Sequence, residues 1–301
     1  MTGLTLERLR LLHSVASHGT IAAAAAEGGY TASAVSQQLS ALERQLGTSL
    51  LERTNRGVTL TPAGARLTQR AAAILDLVQA ATIEATQAGP DAPPIELRIG
   101  AFPSAISSIV LPAMPALATA LRLTIVHIEP EQALAELLAR RLDAAVIDSY
   151  EGQPDPGHPG LHLASLLTDP LRVAIRSDRP RPDALSHLAD ASWVLGGSHS
   201  RLGRTTAAVL RTFGITPSVL VESDDHWITY DVMHSIDAVT MLPELALRNA
   251  PAYVVPVTDI DLRCDRHIQL VTRAALLPHP AFAALETALL QAASSVRSTE
   301  R

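Results

Sequence analysis

The 301-residue chain contains no lysine; all 24 of its basic residues are arginine. Arginine's planar fork can pair two oxygens of a carboxylate or phosphate at once, although codon bias in a GC-rich genome produces the same skew. The single cysteine, Cys264, excludes an intrachain disulfide and a cysteine-rich zinc site. No apolar run approaches the roughly 18 residues of a membrane span. Glu7, Arg8 and Arg10 stand where a signal peptide would carry its apolar core. These absences predict a cytoplasmic protein without a membrane partner. Catalytic motifs are missing too: there is no His-Glu-x-x-His, no Gly-x-Ser-x-Gly and no Walker loop. Gly196-Gly197-Ser198 is too short to cradle a phosphate. His158 and His162 are four apart, but Pro159-Gly160 between them keeps the pair off a shared helix face. The expectation is therefore no enzyme, no metal and no cofactor.

What is present is a globular composition, 47% hydrophobic and 18% charged, with length for two or three compact units. The net charge of −6 is unevenly spread. Residues 1–70 hold seven arginines and four acids, a surplus of three, which leaves −9 for the remainder. A basic end on an acidic chain is the electrostatic footprint of a nucleic-acid binder, though a modest one.

Within that basic end, Leu4, Leu6, Leu9, Leu11, Leu12 and Val15 recur at helical spacing up to Gly19. Thr20 suits an N-cap for a short alanine-rich helix, Ile21 to Glu27, and Gly28-Gly29 supplies a turn. Thr31 opens the next helix. Val35, Leu39, Leu42 and Leu46 form its apolar stripe. Its other side carries Ser33, Ser36, Gln37, Ser40 and Arg44. Those short polar groups suit a helix laid in the major groove, or an ordinary solvated face. Leu50 to Leu60 reads as a hairpin around Asn55-Arg56-Gly57, with Arg53 and Arg56 placed for phosphates or the minor groove. Thr61-Pro62 then starts a long helix. Its residues Leu67, Ala71, Ile74, Val78, Ala81 and Ala85 follow an a/d seam, which predicts a dimerisation helix.

The run Ser33-Ala34-Val35-Ser36, with Leu42-Glu43, Leu46-Gly47, Leu50-Leu51-Glu52-Arg53 and Leu60-Thr61-Pro62-Ala63-Gly64, resembles the LysR-type transcriptional regulators in order and spacing. The match covers about sixty residues; the pattern over residues 95–294 fits the family's effector-binding part with weaker motifs. The resemblance implies a winged helix-turn-helix (1–61), a linker helix (62–89) and a two-lobed α/β domain like periplasmic binding proteins. Lobe I would take 95–168 and 267–294, lobe II 169–266. It implies double-stranded DNA, a small-molecule effector, self-association as a dimer or a pair of dimers, and RNA polymerase as partners. Thr31, Ala32, Ser33, Ser36, Gln37, Ser40, Arg53 and Arg56 would then face DNA. Ala32 and Gln37 depart from the family's frequent glutamine and arginine, which puts the operator sequence in doubt. Leu51 replaces a usual phenylalanine, a matter of packing. His234-Ser235-Ile236-Asp237 replaces a glycine-containing run, which weakens any transfer of effector contacts.

After the Gly89–Pro94 linker, strands and helices alternate: Glu96 to Ala101, a helix from Ser104 to about Ala120, Leu123 to Ile128, a helix from Gln132 to Arg141, and Ala144 to Ile147. That order predicts a parallel sheet. A second pass starts near Leu171, with crossovers near Thr168 and Leu262 to His267. Ligand groups in such sheets lie past strand ends and at helix N-termini. Ser104, Gln132, Ser198 and His199 occupy such places, as effector contacts or as helix caps. Asp224, Asp225 and His226 suit an amine or a metal, or form an exposed acidic loop; Asp225 is taken with the effector set. A solute-binding protein built on the two lobes alone is the other reading, opposed by the missing signal peptide.

Overall fold

The computed structural model describes residues 4–55, 57–87, 93–150 and 160–298. Three helices open the chain: α1 (Leu6–His18), α2 (Ile21–Gly28) and α3 (Ala32–Leu46). Each starts on a threonine whose hydroxyl accepts a first-turn amide, Thr5 from Arg8, Thr20 from Ala23 and Thr31 from Ala34. Each ends on a left-handed glycine, Gly19, Gly29 or Gly47, a conformation costly for other residues. Val35, Leu39 and Leu42 are buried, whereas Leu46 is exposed, so the expected stripe on α3 is one residue shorter. The helix is in its last turn there and has already passed the core. A hairpin follows, β1 (Leu51–Thr54) antiparallel to β2 (Gly57–Leu60).

Thr61 caps the 25-residue α4 (Pro62–Thr86). Its Oγ1 accepts from Gly64 N (3.0 Å) and donates to Ser49 O (2.8 Å). Gly64 is required by contact: a Cβ there would lie 2.0 Å from the carbonyl oxygen of Leu50. The expected a/d seam on α4 is only partly outward. Ala71 is fully buried in its own chain and Leu67 packs on the N-terminal core, while Ala81 and Ala85 are exposed. The outward apolar line runs through Ala73, Leu77 and Ala81, with Leu77 63% exposed.

The remaining strands are β3 (Ile95–Ala101), β4 (Leu121–His127), β5 (Ala144–Tyr150), β6 (Leu161–Arg176), β7 (Ser192–Leu195), β8 (Ser218–Glu222), β9 (Ala238–Pro243), β10 (Val254–Val257) and β11 (Asp265–Arg273). The helices among them are α5 (Pro103–Ala105), α6 (Leu111–Leu117), α7 (Pro130–Leu138), α8 (Arg201–Thr212), α9 (His226–Ser235), α10 (Glu244–Leu247) and α11 (Pro280–Ser298). β3 pairs in parallel with β4 and β5, as expected; β7 does so with β8 and β9. β6 belongs to both lobes. Its first part pairs with β11 up to Pro170, and Leu171–Ala174 pairs with β9. Thr168 thus lies inside a strand, and the passage between lobes is a continuous hydrogen-bonded ladder.

The helix expected from Ser104 to Ala120 is broken into α5, a π-turn over Ile106–Val110, and α6. Pro112 and Pro115 have no N–H to offer the preceding turn, so a regular ladder cannot run through. Separate apolar cores serve the N-terminal helices (around Leu12, Val35 and Leu42), lobe I (around Ile99, Ile109 and Phe282) and lobe II (around Trp193, Leu210 and Val239). No helix of the described residues is long and apolar enough to cross a membrane.

Candidate nucleic-acid interface and inter-lobe site

The outer side of α3 is polar and accessible. Thr31, Ala32, Ser33 and Gln37 are exposed; Ser36 and Ser40 are half-buried, turned toward the helix flank. The Thr31 hydroxyl already accepts from Ala34 N (3.1 Å), which leaves its proton and one lone pair for a partner. Arg53 is exposed on β1. Arg56 lies outside the described residues. Not all of the basic surplus is available: Arg8 donates from Nε to Gln38 Oε1 (3.0 Å) and from Nη1 to Gln45 Oε1 (3.1 Å), fastening α1 to α3. Glu43 does comparable work at the other end. Its Oε1 accepts from Leu50 N (2.8 Å) and Leu51 N (3.1 Å), which fixes the hairpin against α3. Helix and hairpin are thereby tied to each other.

The proposed effector residues fare less uniformly. Ser104 does not cap a helix. Phe102 holds the N-cap position without a side-chain bond, and the buried Ser104 hydroxyl accepts from Arg266 Nη2 (3.1 Å). Gln132 sits in the first turn of α7, exposed, two residues past Pro130, with Glu129 in the N-cap position. The cap of α8 is Ser200, whose hydroxyl accepts from Gly203 N (2.9 Å), so Ser198 and His199 are exposed loop residues before it. His199 Nε2 stands 3.4 Å from Asp224 Oδ2. Asp225 caps α9 through Trp227 N (2.8 Å). His162 faces Glu286 at 3.3 Å, and His158 lies outside the described residues.

Four charged residues that the sequence reading passed over organise the junction of the lobes. Arg266 on β11 is buried, donates from Nε (3.0 Å) and Nη2 (2.5 Å) to Asp169 Oδ2, and stacks over Phe102 at 4.9 Å. Asp169 Oδ1 accepts from Leu245 N (2.9 Å). Asp148, at the end of β5, lies 3.6 Å from Arg266 Nη1. From lobe II, Arg201 reaches across to lobe I: Nε donates to Glu131 Oε1 (3.0 Å) and Nη1 to the Asp148 carbonyl. Burial pushes the Asp148 carboxyl above the ordinary aspartate range, against the opposing pull of Arg266 and Arg201. Burial, aided by Arg266, pushes His226 down to about 4, so its imidazole is neutral at physiological pH. A signal was present in the sequence. Asp148 ends the apolar run Ala144 to Ile147, and a charge in a buried strand requires a partner.

A second junction joins lobe I to the N-terminal helices. Arg140 adopts φ 66°, unfavourable for a residue with a Cβ, just past α7. Its guanidinium grips α4 through Asp76, Gln79 Oε1 (3.1 Å) and Ala72 O (3.3 Å). Arg141 donates to Glu136 (2.6 Å from Nε) and to Glu27 Oε1 of α2 (3.2 Å).

Two family models match the chain: the bacterial regulatory helix-turn-helix protein of the lysR family over residues 6–65, and the LysR substrate-binding domain over residues 91–294. Among curated proteins, the HTH-type transcriptional regulator GbpR of Rhizobium radiobacter is 31% identical over 232 residues, 72% of this chain and 76% of that protein. The regulator YofA of Bacillus velezensis is 45% identical over 98 residues, 32% of this chain; the chain spans only a third of YofA's length in that match. Among solved structures, a full-length OxyR variant from Pseudomonas aeruginosa covers 95% of this chain and 98% of its own, at a TM-score of 0.67 and 21% identity.

Proposed function

The chain belongs to the LysR family of bacterial regulatory helix-turn-helix proteins, and on that premise we propose that it reads promoter DNA with α3 and the β1–β2 hairpin under control of a small molecule bound between its lobes. In this reading Ser33, Ser36 and Gln37 meet base edges and backbone. Arg53, with Arg56, neutralises phosphate. A second copy docks along the outward line of α4 through Leu77, which sets the distance between two recognition helices. Pairs of such dimers and a contact to RNA polymerase extend the same reading, as does action in the cytoplasm. None of this asks the chain to act as an enzyme.

The observation that carries the control mechanism is the position of α7. Glu129 and Glu131 at its N-terminus face lobe II, where Arg201 holds Glu131. Arg140 and Arg141, just beyond its C-terminus, hold α4 and α2. α7 is nine residues long and spans from effector junction to reader. A ligand that binds one arrangement of the lobes more tightly than another shifts the population of that arrangement, and α7 delivers the shift to the DNA-binding helices. Mapping bound DNA across the genome supplies the operator. Footprinting on it then tests the coupling: Arg141→Ala is expected to change the footprint or affinity with α3 intact. An Arg141→Ala protein with a wild-type footprint and wild-type affinity would sink the mechanism.

A further inference from the structure

The inter-lobe junction carries more acid than it can neutralise. Around it stand Glu129, Glu131 and Asp148 from lobe I, Asp224 from lobe II and Asp169 from the shared strand. Three guanidiniums answer these five carboxylates, Arg201, Arg204 and Arg266, while Asp224 faces His199 at 3.4 Å and accepts from Gly197 N (3.2 Å). Their use is uneven. Arg266 is committed to Asp169 by two hydrogen bonds, and Arg201 and Arg204 both turn to Glu131, at 3.0 and 3.9 Å. His226, beside Asp224 and Asp225, is neutral and adds no charge.

Asp148 is the residue left over. Its side chain is nine-tenths buried, and its Oδ1 accepts no hydrogen bond among the described residues. Arg201 Nη1 stops 3.6 Å from it and Arg266 Nη1 3.6 Å from Oδ2, both too far for a hydrogen bond. Arg201 instead spends its Nη1 on the Asp148 backbone carbonyl. A buried carboxylate oxygen without a donor is costly unless something supplies one. The side facing it is the lobe II side, from which Arg201 enters. Glu129, exposed at the rim, has His127 Nε2 at 3.9 Å and no arginine partner among the described residues, with Asp148, Asp224 and Glu131 adding negative charge around it.

We infer that the effector of this protein is a cation, an amine or guanidinium compound whose charged group donates to Asp148 Oδ1 and is flanked by Glu129 and Asp224, displacing Arg201 from Glu131. Arg201 is the resident occupant: a guanidinium on a tether, holding the lobes together until a diffusible one competes. An anionic effector would have to sit against Asp148 and three further carboxylates, and would find its best cation, Arg266, already spent. This inference rests on the two-lobe control reading above, but it assigns what that reading leaves open, the chemical class of the ligand.

Agmatine and methylguanidinium are suitable probes, compared with sodium chloride of equal ionic strength and with succinate. Calorimetry on the full chain is expected to show agmatine binding, with affinity raised in Arg201→Ala because the tethered competitor is gone. Asp148→Asn is expected to lose at least about tenfold in affinity, as removal of a charge-assisted bond implies. Glu129→Gln, at an exposed N-cap whose side chain makes no capping bond, is expected to lose several-fold. Binding of succinate with none of agmatine, or no agmatine binding in either wild type or Arg201→Ala, overturns the cation assignment. The operator footprint of Arg201→Ala separates this from failure of the underlying reading. A changed footprint without agmatine binding leaves the junction regulatory and the ligand class wrong. An unchanged footprint removes the junction from regulation altogether.

Discussion

The reader and the two-lobed domain use polar side chains in opposite ways. On α3 the polar groups that matter are turned outward: Ser33 and Gln37 are exposed and the apolar residues behind them carry the packing. Between the lobes the polar groups are turned on one another. Ser104 is bonded to Arg266, Arg266 to Asp169, and Arg201 to Glu131. A surface built to meet a large rigid polyanion can be kept open, because water satisfies it meanwhile. Where the junction is buried, at Arg266 and Asp169, the charges are satisfied internally, Asp148 Oδ1 being the exception, and on the proposed reading a ligand enters by exchange of partners.

That contrast is broken most severely at Arg266. Arg266→Met removes the guanidinium and leaves the buried Asp169 without its bonded cation, while Asp148 keeps only Arg201 at 3.6 Å. A loss of about 3–5 kcal/mol is expected in urea unfolding. The loss should be confined to the transition of the two-lobed domain, with α1–α3 retaining their own core. A variant as stable as wild type would mean that the Arg266–Asp169 pair is dispensable and the junction is not held by charge.

The same contrast explains what could be read in advance. In the reader, caps and faces are local facts: Thr20, Thr31 and Thr61 announce their helices through residues two or three positions on, and the side of α3 that faces away from Val35 and Leu39 must be outside. At the lobe junction, position relative to a strand end was a poor guide. Ser104 does follow a strand at a helix start, but it caps nothing there and its hydroxyl bonds Arg266, 162 residues away. Ser198 and His199 were two residues and one residue short of the true cap, Ser200. Arg266 and Asp169 carry no local mark of their pairing; only the fold, by running β6 beside β11, brings them together.

A smaller effect is expected from His226. Its folded-state pKa, pushed down to about 4, lies below the 6.5 of the free imidazole, so the unfolded chain binds a proton that the folded chain refuses. The stabilisation is complete above about pH 6.5 and is lost as pH falls toward 4, by no more than about 3 kcal/mol. His226→Gln, which cannot titrate, should flatten the wild-type decline in melting temperature between pH 6.5 and 4.5. Parallel pH profiles for the two proteins would place the acid sensitivity elsewhere.

The smallest stability effects belong to the reader, and there the comparison is sharpened by what changes instead. Ser36→Ala and Arg53→Ala alter groups with no hydrogen bond or ion pair among the described residues, so unfolding free energies should move by less than about 0.5 kcal/mol. Binding should separate them. Arg53 lies on the hairpin, and on the proposed reading its guanidinium meets backbone phosphate, so its loss should weaken all sequences alike and lower the salt dependence by about one counterion. Ser36 sits on α3 between the buried Val35 and the exposed Gln37, where a hydroxyl can select among base edges. Its loss should change preference at one or two positions by roughly 1–3 kcal/mol while the salt slope stays fixed. Selection of bound sites from a randomised pool, repeated at two salt concentrations, reads both quantities. If the two variants lost affinity equally across all sequences, α3 would be bound to backbone alone, and the outward polar face would position the protein without reading the DNA.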